Sequence, residues 1–290
     1  KPVINFNYEF NFGTPNRLPK FVDGYTYAQA LNEGLRNDGL SPRYSQRELD
    51  AFRDQTYPDF YPNVDWWDEA LRDHSYGDNV NFNIQGGSEK VRYFAQLNWL
   101  DDRGILKPVS DNEGYSGQLK YSKVNIRTNL DIQATKTTQV QIGMLGNFAE
   151  HNRPGATVGN LFGALYQVPS GAFPVKTANG LWGGNDIYSN NPVAYISGMG
   201  YARSQSRALY ADMNIMQDLS AITPGLSASM QIGFDSNGSY WDNNTRTFAY
   251  ESAVKGWDGE EDKYEKLREE TALSFSSSVG SIVRRFTFGA

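Results

Sequence analysis

The 290-residue chain contains no cysteine and only two histidines, His74 and His151. The first absence excludes a disulfide framework and thiolate metal sites. The second leaves no H-x-x-x-H pair to hold a metal. Apolar runs extend for only a few residues, too short for a bilayer-spanning helix. Basic residues are outnumbered, 27 Lys and Arg against 33 Asp and Glu, and the net charge of −6 argues against a nucleic-acid binder. Also missing are a G-x-S-x-G nucleophile turn, a phosphate-binding P-loop and a G-x-G-x-x-G following a strand. No catalytic residue, cofactor site or metal site is therefore expected, and the chain is not expected to be an enzyme. Its start lacks the basic-then-apolar order of a signal peptide. Lys1 runs directly into strand-like sequence, so the chain is expected to open in mid-structure, as part of something longer.

What is present is alternation. Ile4, Phe6, Tyr8, Phe10 and Phe12 fall on one face of a strand, and Asn5, Asn7, Glu9 and Asn11 on the other. Val80, Phe82 and Ile84 oppose Asn81, Asn83 and Gln85. After the turn Gly86 to Lys90 the pattern resumes with Val91, Tyr93, Ala95, Leu97 and Trp99. Five further runs read the same way, the last slipping parity between Val279 and Ile282 as a β-bulge would. The expected strands lie near residues 2–12, 80–85, 91–100, 119–133, 140–148, 206–218, 226–236 and 270–288.

The connections between these strands alternate in length. Long ones cover roughly residues 13–79, 101–118, 149–205 and 237–269, whereas those near 86–90, 134–139 and 219–225 are tight. Successive antiparallel strands place successive connections at opposite ends, so every long loop falls on one side. Outer-membrane barrels have that asymmetry, with apolar-out and polar-in strands and the long loops extracellular. A soluble β-sandwich also alternates, but its connections are short, and the polar face here is rich in Asn, Gln, Arg and Asp. The expected fold class is all-β: an antiparallel transmembrane β-barrel segment with long extracellular loops.

Within the loops, Tyr27–Asn37 and Ser45–Asp54 read as short helices, the second opened by a Ser45/Glu48 capping box. Residues 260–270 carry mixed charges at helical spacing and are expected to form a solvated helix. Tyr57–Glu69 is aromatic and acidic, and Phe162, Tyr166, Phe173, Trp182, Tyr188 and Tyr195 crowd a later loop. Such aromatics either stack on sugars or pack the loops together.

Several of these residues also carry a resemblance. Tyr61–Glu69 (YPNVDWWDE) resembles a segment of SusC/RagA-like TonB-dependent transporters of Bacteroidota outer membranes. Asn79–Lys107 is similar to that family's hairpin, with its glycine-pair turn (Gly86-Gly87-Ser88-Glu89-Lys90), Tyr93-Phe94 and a D-x-x-G-I ending at Ile105. Tyr121–Val140, with Arg127-Thr128-Asn129-Leu130-Asp131, is similar to the next hairpin, and Lys1–Phe12 to the first strand after the plug. The likeness is specific over residues 1–148; beyond that it rests on periodicity. It implies about eight strands of a 22-stranded barrel, residues 1–290 being part of that barrel domain, with the plug outside this chain. It further implies active import of oligosaccharides, or alternatively of oligopeptides. The implied partners are a SusD-like surface lipoprotein acting as a lid, TonB through a segment absent from this chain, and outer-membrane lipid. Trp66, Trp67, Trp182 and Tyr188 are the candidate contacts to cargo or lid. Two other classes stay open: a self-contained eight-stranded structural or adhesive barrel, and a soluble glycan-binding β-domain.

Overall fold

The structure is a computed structural model that describes residues 1–107 and 115–289. In chain order its elements are β1 (Val3–Gly13), α1 (Gly24–Asn37), α2 (Gln46–Asp54), α3 (Trp66–Ala70), β2 (Ser75–Gly87), β3 (Val91–Arg103), β4 (Lys120–Gln133) and β5 (Thr138–Pro154). There follow α4 (Val158–Gln167), β6 (Trp182–Gly183), α5 (Pro192–Ser197), β7 (Gly200–Asp218), β8 (Ser227–Thr245), β9 (Tyr250–Val254), β10 (Lys263–Arg268) and β11 (Ser274–Gly289). The long strands form one antiparallel sheet in the order β1-β2-β3-β4-β5-β7-β8-β11. Each strand pairs with its neighbours in the chain once the small loop strands are set aside, so the sheet is an up-and-down meander.

Register sorts the side chains into two chemically distinct faces. Tyr8, Val80, Trp99, Val124 and Phe148 share one cross-strand row on the apolar face. One residue along, on the opposite face, lies a row of Asn7, Asn81, Asn98, Asn125 and Asn147. Its amides are linked in sequence. The Asn147 Nδ2 donates to Asn125 Oδ1 at 2.7 Å, Asn125 to Asn98 at 3.0 Å, and Asn98 to Asn81 at 2.9 Å. Such a ladder lets short polar side chains satisfy one another while leaving donors and acceptors for water. In β11 the pairing with β8 shifts between Val279 and Ser281, the bulge anticipated from the parity slip. The unpaired residue is Gly280, where a Cβ would stand 2.6 Å from Ser239 Oγ.

Most of the strands extend further toward the long loops than the apolar alternation indicated. β2 starts at Ser75, β5 runs to Pro154, β7 starts at Gly200 and β8 runs to Thr245. There the residues of the formerly apolar face turn polar (Asp78, Glu150, Arg203, Asp242), so the hydrophobic period vanishes while the backbone ladder continues. The Ser45/Glu48 capping box is present, and α1 is capped by Asp23, whose side chain accepts from Thr26 N at 2.7 Å. The charged stretch at 260–270 is not a helix. It contains β10, paired antiparallel with β9. Tyr264 is anchored on Asp59 and Phe60, and Arg268 lies over the Phe248 and Tyr250 rings. The backbone pairing with β9, with these anchors at either end, overrides the local helical spacing. Of the connection expected over residues 101–118, residues 108–114 lie outside the described residues.

Candidate functional site in the loop layer

The connections 14–74, 155–199 and 246–273, with the flanks of the one between β3 and β4, gather at one end of the sheet and bury their own apolar core. Two clusters build it. The smaller joins Ala28 of α1, Leu49, Ala51 and Phe52 of α2, and Tyr61, with Tyr44, Phe60 and Trp257 packed against them. Tyr61 is its polar hinge. Its hydroxyl donates to Glu48 Oε1 at 3.1 Å and accepts from Trp257 Nε1 at 3.1 Å, tying the first connection to the last. Burial holds the Tyr61 phenol well above the usual tyrosine range. Arg47 reinforces the same seam, pairing with Asp258 at 3.0 Å and lying 4.8 Å over the Trp257 ring.

The larger cluster contains Trp66, Trp67, Leu71, Leu106, Leu161, Leu165, Phe173, Trp182, Ile196 and Phe248. Three of the four candidate contact residues are inside it: Trp66 is 3%, Trp67 6% and Trp182 8% exposed. Trp66 meets the edge of Phe173 at 5.3 Å and donates from Nε1 to the Pro169 carbonyl at 3.1 Å. Trp67 lies between Tyr166 and Phe162 at 5.1 and 5.9 Å, and its Nε1 has no acceptor among the described residues. Trp182 packs edge-on to Phe248 at 6.4 Å, with the Lys176 ammonium 4.6 Å over its ring. Asn191 organises the cluster from its centre. Fully buried, it caps α5 by accepting from Val193 N and Ala194 N, and donates to the carbonyls of Val175 and Gly183. Every hydrogen-bonding atom of that side chain is used, which is what full burial of an amide requires.

Tyr188, the fourth candidate, packs against the large cluster but also lines a cleft of about 360 Å³. Tyr27, Arg43, Tyr44, Phe60 and Asn185 line it too. Tyr27 and Tyr44 are both pushed above the ordinary phenol range, chiefly by burial, with Tyr188 adding to the effect on Tyr27 and Arg43 opposing it at Tyr44. Tyr27 and Tyr44 therefore stay neutral, as donors, at physiological pH. Aromatic ring faces beside phenol, amide and guanidinium groups can hold a hydrophilic oligomer by stacking and hydrogen bonding together. Arg43, Tyr44, Tyr27 and Asn185 carried no local signal in the sequence, because the cleft is assembled from connections more than a hundred residues apart. Among the described residues no group of acidic and imidazole side chains could hold a metal ion.

No family model matches the chain. Among curated proteins it is 30% identical over 193 residues to the TonB-dependent receptor P26 of Formosa agariphila, an alignment covering 66% of this chain and 17% of the relative. Among solved structures it is similar to the RagAB peptide transporter, with a TM-score of 0.59, 13% identity, and coverage of 85% of this chain and 29% of that one. At that identity the structural likeness speaks for the fold alone. The fold class is thus an antiparallel sheet of the outer-membrane-barrel type. More particularly, the chain is similar to a stretch of a TonB-dependent receptor, in keeping with the SusC/RagA-like resemblance of its motifs, and it spans less than a fifth of the curated relative it matches. The proteins it resembles are a receptor and a transporter rather than enzymes.

Proposed function

We propose that the chain forms part of the barrel wall and extracellular loop layer of a TonB-dependent outer-membrane transporter, importing oligosaccharides together with a SusD-like surface lipoprotein. The observation that carries the membrane reading is a drift of the apolar band across the seven strands from β1 to β8; β11 stands apart, its apolar residues reaching Phe275. On β1 the band reaches Phe12, whose register row leads through Tyr76, Arg103, Lys120, Asn152 and Arg203 to Asp242 on β8. On β8 the run Ala228, Met230, Ile232, Phe234 stops eight residues short of that row, with only Tyr240 breaking the polar interval. A fall of about 26 Å (about 3.3 Å per residue) over six strand spacings of about 4.8 Å is a slope of about 40°. A level hydrocarbon layer demands this of strands inclined by about 35–45°. The polar face, with its asparagine ladder, suits a wet lumen.

Loop placement supports cargo contact at the cleft, with Tyr188 touching cargo while the burial of Trp66, Trp67 and Trp182 suits them to hold its wall. Oligopeptide import is the second reading, favoured by the structural likeness to a peptide transporter. Energy would come from TonB acting through the family's plug. In the full receptor, a membrane-impermeant thiol reagent on intact cells should label Ile187→Cys in the loop layer and spare Ser88→Cys in a tight turn; the reverse would invert the orientation. Tyr188→Ala should leave surface abundance unchanged and weaken uptake of the true cargo by about 1 kcal/mol, roughly fivefold. Unchanged transport of every oligosaccharide and oligopeptide tried would remove the cleft from the pathway.

A further inference from the structure

On the apolar face, beside the loop layer, a groove of about 540 Å³ crosses β7, β8 and β11. Arg207 of β7 and Arg284 of β11 flank it, and the β8 residues directly opposite them are the small Gly238 and Ser236, with Tyr240 and Asp242 further toward the loops. Register places Arg207 opposite Gly238, and Arg284 opposite Ser236. Both arginines belong to the apolar face, in line with Leu209, Ala211 and Met213 on one strand and with Phe286 and Phe288 on the other. Arg207 is the first charged residue met on leaving the apolar band of β7 toward the loops, and Arg284 interrupts an apolar run on β11 that resumes loopward with Ile282 and Val279. Gly238 leaves the groove floor without a side chain beside Ile282, although a Cβ there would meet Ile282 Cγ1 only at an ordinary contact distance of 3.8 Å.

Neither guanidinium is ion-paired among the described residues. Arg207 donates to Gln205 Oε1 at 3.3 Å and lies 5.7 Å over the Phe148 ring. Of the nearby carboxylates, Glu150 pairs with Arg203 at 3.6 Å, and Asp242 lies at the loopward end of the groove, opposite Arg203 in register. Two exposed cations set above a hydrocarbon-facing band would be an unproductive use of arginine unless an anion meets them there. Guanidinium groups match phosphate by paired, charge-assisted hydrogen bonds.

We propose that this groove binds one phosphate-bearing lipid of the outer leaflet, its phosphate between Arg207 and Arg284 and its acyl chains on Leu209, Phe234 and Phe286. The proposal rests on the membrane reading above, because it needs the apolar face to meet lipid. It is specific to a lipid rather than a free anion, since the apolar surface continues directly below the cations. Basic residues at a membrane surface each add attraction for anionic headgroups, and two acting together set the expected size.

The test uses the full receptor in mild detergent, with bound lipid counted by native mass spectrometry. The probes are monophosphoryl lipid A, its phosphate-free counterpart and inorganic phosphate. The wild type should retain the phosphorylated lipid about tenfold better than the phosphate-free one. R207Q/R284Q should erase that preference and R207K/R284K should keep most of it. R285Q, on the polar face opposite Asp235, should leave it unchanged. Equal retention by wild type and R207Q/R284Q, equal retention of the two lipids, or displacement of the lipid by inorganic phosphate would each overturn the site. A nitroxide on Met213→Cys checks the underlying reading separately. Oxygen accessibility typical of hydrocarbon, with no phosphate preference in the lipid test, would sink only the lipid site. Accessibility typical of water would sink both.

Discussion

Phe286, on the sheet, is 77% exposed, whereas Phe248, in the loop layer, is 1% exposed. The same side chain is used under two opposite rules within one chain. The sheet is one layer thick and holds almost none of the buried hydrophobic residues; on the proposed membrane reading its apolar face is completed by hydrocarbon. The loop layer stands in water and must supply its own interior, so it condenses aromatics from several connections into a packed core. The comparison teaches that exposure alone is not a sign of instability here. What counts is the solvent each region was selected to face.

The sharpest way to break this comparison is to damage one region and look for an effect in the other. Phe248→Ala removes a ring that touches Trp182, Tyr195, Tyr250 and Arg268. It should destabilise the loop layer by about 3–5 kcal/mol. Hydrogen exchange should rise throughout connections 155–199 and 246–273, while the heat-resistant migration of the folded barrel on gels stays unchanged. A barrel that failed along with its loops would mean that the two regions are a single cooperative unit.

A smaller effect is expected from the converse experiment on the sheet. Ile126 sits on the apolar face between Leu97 and Gly146 in register, and Arg there should cost about 2–4 kcal/mol at mid-membrane depth. Its neighbour Asn125 belongs to the polar ladder, accepting from Asn147 and donating to Asn98. Asn125→Arg forfeits those bonds at about 1 kcal/mol and faces no hydrocarbon. Assembly yield in the membrane should therefore separate the two variants clearly; equal yields would exchange or abolish the assigned faces.

The two regions also differ in how far the sequence disclosed them. A strand face is written locally: Val124, Ile126, Thr128, Leu130 and Ile132 show their side of the sheet within nine positions, and even the bulge beside Gly280 was visible as a change of parity. The helix at Ser45 was legible for the same reason, its capping box being local. The loop core was not. Tyr61 meets Trp257 across 196 residues, and Trp66 meets Pro169 across 103. Aromatic richness marked Trp66, Trp67, Trp182 and Tyr188 as important without saying which would be interior. Nor could charge spacing reveal that residues 263–268 would extend against β9, because Tyr264 is held by Asp59 and Phe60 of a distant connection and Arg268 by the rings of Phe248 and Tyr250 some twenty residues earlier.

The least costly probe of the loop seam is alkaline pH. The Tyr264 hydroxyl donates to Asp59 Oδ2 at 3.1 Å, and burial, aided by that bond, pushes its phenol up to about 12 from an ordinary value of 10.0. A phenol harder to ionise when folded favours the native state fully below pH 10, and loses that contribution as pH rises through about 12. Tyr61 is shifted in the same direction, so removing Tyr264 subtracts only part of the response. Tyr264→Phe should accordingly be slightly less stable than wild type at pH 8, for want of the bond to Asp59. It should then lose stability less steeply between pH 10 and 12, because no phenolate has to form there. Loop melting followed by tryptophan fluorescence should give two curves that converge or cross in that interval. The barrel's own unfolding, which has no part in this seam, should show no difference between the two proteins. Parallel loop curves through pH 12 would mean that Tyr264 ionises as freely in the folded seam as in water, and that its contact with Asp59 does not couple the first connection to the last.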